Sequence, residues 1–156
     1  MAQNTQTRIP LIYRIIFTWI DPLLCLQIVY LNWAAPDAVM ATFLPDSKAE
    51  YHPDLAPLFH LIATSFMLTG LFSAILLRYS QDVNLWKVTQ FCIWLVDVSL
   101  VVSRGLSLRD QGGWVALQQA ENWGSNDFVG LGLLVVRSLF LLGIGLRTTD
   151  EGKKAN

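Results

Sequence analysis

Residues 9–33 read IPLIYRIIFTWIDPLLCLQIVYLNW. A helix of this length crosses about 30 Å of hydrocarbon at about 1.5 Å per residue, yet this one carries Arg14 and Asp21 inside it. A secretory signal does not fit, because charges interrupt the apolar run and no small-residue cleavage site follows a short core. Three further apolar blocks follow, from Pro57 to Leu77, from Val83 to Val102 and from Phe128 to Leu146. Each block is roughly 19–25 residues, a length that buried helices of soluble domains seldom reach four times over. Backbone in lipid must satisfy its own hydrogen bonds, so the blocks are expected to be helices. The expected fold is all-α: one membrane-embedded four-helix bundle over residues 1–156, with a polar tail at 150–156.

Composition supports this and excludes other classes. Hydrophobic residues make up 53% of the chain and charged residues 15%, against about 25% charged in an average soluble domain. Mean hydropathy is +0.43. Disorder is excluded by the same apolar content. The net charge of −1 offers no basic excess for nucleic acid. Cys25 and Cys92 are too few for a disulfide framework or a Cys-rich zinc site, and His52 and His60 lack ligand partners at a recognisable spacing. Gly143-Ile-Gly145 is too short for a nucleotide fingerprint. No metal and no cofactor are expected. The expected partners are the bilayer, a lipophilic small molecule and a second copy of the chain.

Loops and orientation follow from the polar segments. Residues 32–51 and 103–127 read as loops, the latter with room for a short interfacial helix over 114–121. Arg8, Arg78, Lys87, Arg147, Lys153 and Lys154 fall on the side of the termini, against Lys48, Arg104 and Arg109 on the other. Both termini should therefore face the cytosol, and the absence of another targeting signal points to the endoplasmic reticulum. Trp33, Trp86, Trp114 and Trp123 lie where aromatic belts sit. Gly130, Gly132, Gly143 and Gly145 are expected to let helices pack closely.

The ionisable residues inside the blocks carry the functional signal, because a charge at the bilayer centre costs about 2.5–3.5 kcal/mol on insertion scales. They are Arg14, Asp21, His60, Asp97 and Arg137. Counted along their helices, Asp21 and Asp97 each lie roughly 18 Å deep and Arg137 roughly 14 Å from the opposite face, so the three can meet in one central site. Arg14 is shallower and suits a snorkelling anchor, and His60 lies within a turn of the far end. Arg14, Thr18, Asp21 and Cys25 form one helical stripe, and Gln90, Trp94, Asp97 and Arg104 form another. Inward-facing stripes would line an apolar pocket with a few polar groups. Arg14, Thr18, His60, Gln90 and Trp94 are the candidate substrate-binding residues. Pro22 removes an N–H, leaves the Thr18 carbonyl without its helical partner and disfavours α geometry at Asp21.

Two carboxyls and one guanidinium are one charge short of balance. One Asp is expected ionised beside Arg137, with the other keeping its proton. Asp21 and Asp97 are thus the candidate acid and base, and Arg137 sets their charge states. Protonating an epoxide or alkene while activating a water or hydroxyl would suit such a pair. The same trio also serves a plainer purpose, as an interhelical lock.

Tyr13-Arg14-Ile-Ile-Phe17 with Asp21-Pro22 resembles the opening of a family of small fungal four-helix membrane proteins. Leu77-Arg78 with Asp82 and Trp86-Lys87 resembles the family's short second loop, and Val96-Asp97 its acidic third helix. Trp114, Trp123 with Asp127 resembles the third loop, and Val136-Arg137 the final helix. The resemblance spans nearly the whole chain. The family's first-helix acid is often Glu, so Asp21 has the shorter reach. The resemblance implies membrane hydrolases or cyclases of secondary-metabolite clusters, acting on epoxidised polyene polyketides or on terpenes.

Overall fold

The computed structural model describes residues 6–43, 50–119 and 123–149. Pro45, Asp46 and Lys48 of the first loop, Glu121 and the tail from Asp150 lie outside the described residues. Among the described residues there are four long helices, one short helix and a two-stranded ribbon: β1 (Gln6–Arg8), α1 (Leu11–Ala34), α2 (Pro36–Phe43), α3 (Pro53–Tyr79), α4 (Val83–Gln118), α5 (Ser125–Leu141) and β2 (Arg147–Thr149).

The helix ends have local causes. α1 stops at Ala35, whose φ of −146° leaves the helical region. Part of the segment expected as loop is instead α2, because Pro36 suits a first helical position and Asp37 complements the helix N-terminus. α4 starts on Asp82, whose carboxylate accepts from the Asn84 N–H at 2.9 Å. It was expected to end near Val102. No proline follows, however, and the polar residues 103–111 continue as helix until Gly112 and Gly113 leave helical geometry. α5 starts where the Asp127 carboxylate accepts from the Gly124 N–H at 2.9 Å. It ends at Leu141, short of the expected Leu146, because Gly143 and Gly145 turn the chain with φ of +80° and +81°.

Three helical segments, Leu11–Ala34, Pro53–Tyr79 and Val83–Asp110, are long and apolar enough to cross a membrane. α5 has 17 residues, about 25 Å of helix. The ribbon decides its role. β1 and β2 pair antiparallel, with Thr7 opposite Thr148, so both ends of the described chain lie together. Three such helices leave the chain at the far end of the bundle, and α5 is the leg that returns it. Large apolar side chains such as Leu11, Leu61, Val88 and Leu142 point outward, as expected of a multi-pass membrane protein.

α1 packs along α3, and α4 along α5. Gly70 sets the closeness of the first pair: a Cβ there would lie 3.0 Å from Cys25 Cβ. This is the small-residue contact of membrane helices, at a glycine the sequence reading did not single out. Gly130 and Gly132, expected in that role, have nothing within 4 Å of such a Cβ. Gly70→Val should destabilise the protein by about 1–3 kcal/mol through overpacking, read as a lowered unfolding midpoint in detergent; an unchanged midpoint would exclude the contact.

The two helix pairs meet near the end that holds the termini. Tyr13 and Phe17 of α1, Leu77 of α3, Trp86 of α4 and Phe140 of α5 form a buried cluster. Tyr13 and Phe17 each meet the Phe140 ring edge-on, at 5.1 and 5.4 Å between centroids, a favourable aromatic geometry. The polar tips are satisfied: Tyr13 Oη donates to the Ile144 carbonyl and Trp86 Nε1 to the Ser80 carbonyl, both at 2.8 Å. This plug fixes the register of the four helices just beyond the charged residues.

Candidate functional site

Asp21, Asp97 and Arg137 come together. Arg137 Nη2 donates to Asp21 Oδ1 at 2.6 Å, Nη1 donates to Asp97 Oδ2, and Nε donates to Gln90 Oε1 at 3.0 Å. One guanidinium therefore spends its fork on two carboxylates and its third edge on an amide, all in one fixed plane. Three helices contribute: α1 gives Asp21, α4 gives Gln90 and Asp97, and α5 gives Arg137. Seven residues separate Gln90 from Asp97, two helical turns, so both reach the same neighbour.

A fourth helix completes the set. Ser73 Oγ of α3 donates to Asp21 Oδ2 at 3.2 Å. Ser73 is wholly buried and was not foreseen, because a lone serine in an apolar block commonly bonds back to its own helix. Asp21 thus accepts from two donors, while Asp97 has the looser setting. Side-chain exposure is 2% for Arg137, 3% for Asp21 and 15% for Asp97. Asp97 is the open side of the group. Gln90 is fully buried, and its Nε2 has no hydrogen-bond partner among the described residues. Its amide orientation follows from the bond that Oε1 accepts from Arg137.

The Asp21-Pro22 step is built differently from the sequence expectation. Asp21 keeps α geometry, with φ −59° and ψ −49°. The preceding residues Ile16–Ile20 widen into a π turn, and the Asp21 N–H donates to the Ile16 carbonyl. Such bulges absorb a local mismatch and are frequent at functional sites. The Thr18 carbonyl, freed by Pro22, does find a donor: Arg78 Nη2 of α3 at 2.8 Å. The Arg78 guanidinium also lies 4.1 Å from the Trp19 ring centroid. Arg78→Met should lower stability by about 1–3 kcal/mol, the cost of an unpaired buried carbonyl, seen as a lower unfolding midpoint. A midpoint equal to wild type would mean that the carbonyl needs no partner.

The remaining candidates divide. Thr18 is buried one turn from Asp21, its hydroxyl donating to the Arg14 carbonyl at 2.7 Å. Arg14 itself is exposed, away from the charged group. His60 stacks on Trp33, 4.1 Å between centroids and 14° between planes, near the end opposite the termini. Trp94 stands beside the site, its Nε1 donating to Ser138 Oγ at 2.9 Å. With Phe91, Lys87, Val88, Leu141 and Leu142 it lines an apolar groove of about 660 Å³ between α4 and α5. Arg104, on the same stripe of α4, pairs instead with Asp127 at 3.1 Å, and both side chains are nearly buried.

Chemically, the group offers two carboxyls bridged by a fixed cation, with one buried amide donor beside them. It can hold and exchange protons across a short path, or it can stand as a lock between four helices. Comparison with curated proteins and with solved structures returns no match. A family model described as a domain of unknown function (DUF7704) matches residues 6–147, which takes in all four long helices and every member of the charged group, and the chain belongs to that family.

Proposed function

We propose that the protein is a membrane-embedded enzyme that opens an epoxide or cyclises a lipophilic secondary-metabolite intermediate, using Asp21 and Asp97 as an acid–base pair. One observation carries the reading: a single buried guanidinium holds both carboxylates, three ionisable groups that the apolar interior would otherwise exclude. Three charges leave an excess of one negative, which a proton on one Asp removes. In the ring opening, the protonated carboxyl gives its proton to the epoxide oxygen as the C–O bond breaks. The other carboxylate takes a proton from the water whose oxygen forms the new C–O bond. The pair ends with the proton moved from one Asp to the other and its total charge unchanged. Arg137 stabilises both distributions without moving.

Asp97, the more open carboxyl, is the natural point of contact, and the free Nε2 of Gln90 is a donor for a substrate or water oxygen. Positive residues beside the described chain ends support cytosolic termini, and the endoplasmic reticulum is the membrane we propose. The test is co-expression with candidate epoxidised polyenes or terpenes, followed by mass spectrometry. The wild type should yield a diol or ring product that the Asp97→Asn variant does not form. Equal product from a correctly inserted Asp97→Asn protein would end the catalytic assignment. The alternative is a non-catalytic lipid- or partner-binding membrane protein, and it draws on the pairing of all three charges. It expects the same variants to change stability alone, with no product from any intermediate.

A further inference from the structure

The groove between α4 and α5 adjoins the charged group at Trp94, but its lining includes none of Asp21, Asp97 and Arg137 and has its own chemistry. Phe91 and Trp94 stack along its wall, 6.1 Å between ring centroids and 14° between planes. Its internal polar groups are already satisfied. Trp94 Nε1 donates to Ser138 Oγ, and Ser138 Oγ donates to the Leu134 carbonyl at 2.8 Å. What remains is an apolar trough of about 660 Å³, within the range of about 300–1,000 Å³ usual for small-molecule sites.

Lys87 lies at the end of this trough nearest the chain termini, the fifth residue of α4 and close to the last residues of α5. No carboxylate among the described residues pairs with it. The nearest acid, Asp82, caps the Asn84 N–H. Arg8, Arg14 and Arg78 belong to the same end of the molecule, so the field at the mouth is positive. A trough that takes an alkyl chain, with an unpaired ammonium at the depth of lipid headgroups, is complementary to an anionic amphiphile. A second copy of the chain fits less well, since a two-fold contact through this groove would bring Lys87 against its own symmetry mate.

We infer that the α4–α5 groove is a binding site for one anionic phospholipid of the leaflet on the side of the termini, its acyl chain along Phe91 and Trp94 and its headgroup on Lys87. The site does not depend on the proposed catalysis, and either can fail alone. Trp94 supplies the readout. The full-length protein is reconstituted in vesicles in which a fixed fraction of either phosphatidylglycerol or phosphatidylcholine carries dibrominated chains, which quench nearby indoles. The Trp94 contribution is the difference between wild type and Trp94→Phe. It should be quenched preferentially by brominated phosphatidylglycerol, with an apparent affinity about fivefold above that for brominated phosphatidylcholine, as expected for one basic side chain at an anionic surface. Lys87→Gln, at a half-exposed position, should remove the preference, and Val88→Phe, which fills the trough from an exposed position without adding an indole, should reduce quenching by both lipids. Equal quenching by the two lipids in the wild type, or a preference that survives Lys87→Gln, would overturn the assignment. As a measurement independent of Trp94→Phe, native mass spectrometry should find one phosphatidylglycerol retained by wild type and lost from Lys87→Gln; retention by both would likewise overturn it.

Discussion

Arg137→Met should destabilise the folded protein by about 3–5 kcal/mol, the range observed when one partner of a buried ion pair is removed. The side chain lies 2% exposed between two carboxylates. Met fills most of its volume but leaves Asp21 and Asp97 facing each other with no cation, and Gln90 Oε1 with no donor. The carboxyls then have to take up protons or let water in, and both routes loosen the contact between the two helix pairs. The measurement is the unfolding midpoint in mixed detergent micelles. A triple variant, Arg137→Met with Asp21→Asn and Asp97→Asn, separates charge from shape. With no net charge left inside, it should recover more than half of the loss, since a buried ion group replaced as a whole is often close to neutral in stability. If Arg137→Met unfolds at the wild-type midpoint, the ion group does not hold the bundle together. If the triple variant is as unstable as the single one, the guanidinium contributes through packing rather than charge.

The meeting of Asp21, Asp97 and Arg137 was legible in the sequence because charges in apolar blocks are scarce and helix rise is constant, so counting residues gives depth. The four-helix fold was legible for the same reason. Other parts were not. Ser73 and Arg78 belong to α3, where a lone serine commonly bonds back to its own helix and an arginine at a block's end reads as an orientation charge. Each finds its partner on α1, a tertiary contact that no one-dimensional pattern carries. The signal for Arg78 did exist in part. Pro22 had to free the Thr18 carbonyl, and a buried carbonyl needs a donor from somewhere. The extension of α4 past Val102 was missed because polarity was read as loop, although a helix leaving the membrane turns polar without ending. The α5 end was overrun because Ile144 and Leu146 continue the apolar pattern while Gly143 and Gly145 break the backbone.

Asp97→Asn and Asp21→Asn should each lower turnover by about 10²–10⁴-fold, the usual contribution of a positioned proton-transfer group, while differing in what they do to the fold. Among the described residues Asp97 accepts from Arg137 alone, and it has an open side. Its amide keeps the shape and leaves Arg137 paired with Asp21, so stability should change by no more than about 1 kcal/mol. Asp21 is buried under two donors, Ser73 and Arg137. An amide can accept from one of them but turns an N–H₂ toward the other, so Asp21→Asn should also lower stability by about 1–3 kcal/mol. The double variant decides between an acid–base pair and two separate contributions. When two groups share one proton transfer, removing the second costs little once the first is gone, so the double variant should turn over within about threefold of either single one. A multiplied loss would mean that the carboxyls act independently, and the bridging of both by Arg137 would then be structural. Turnover that falls only in step with the folded fraction would assign the whole group to stability.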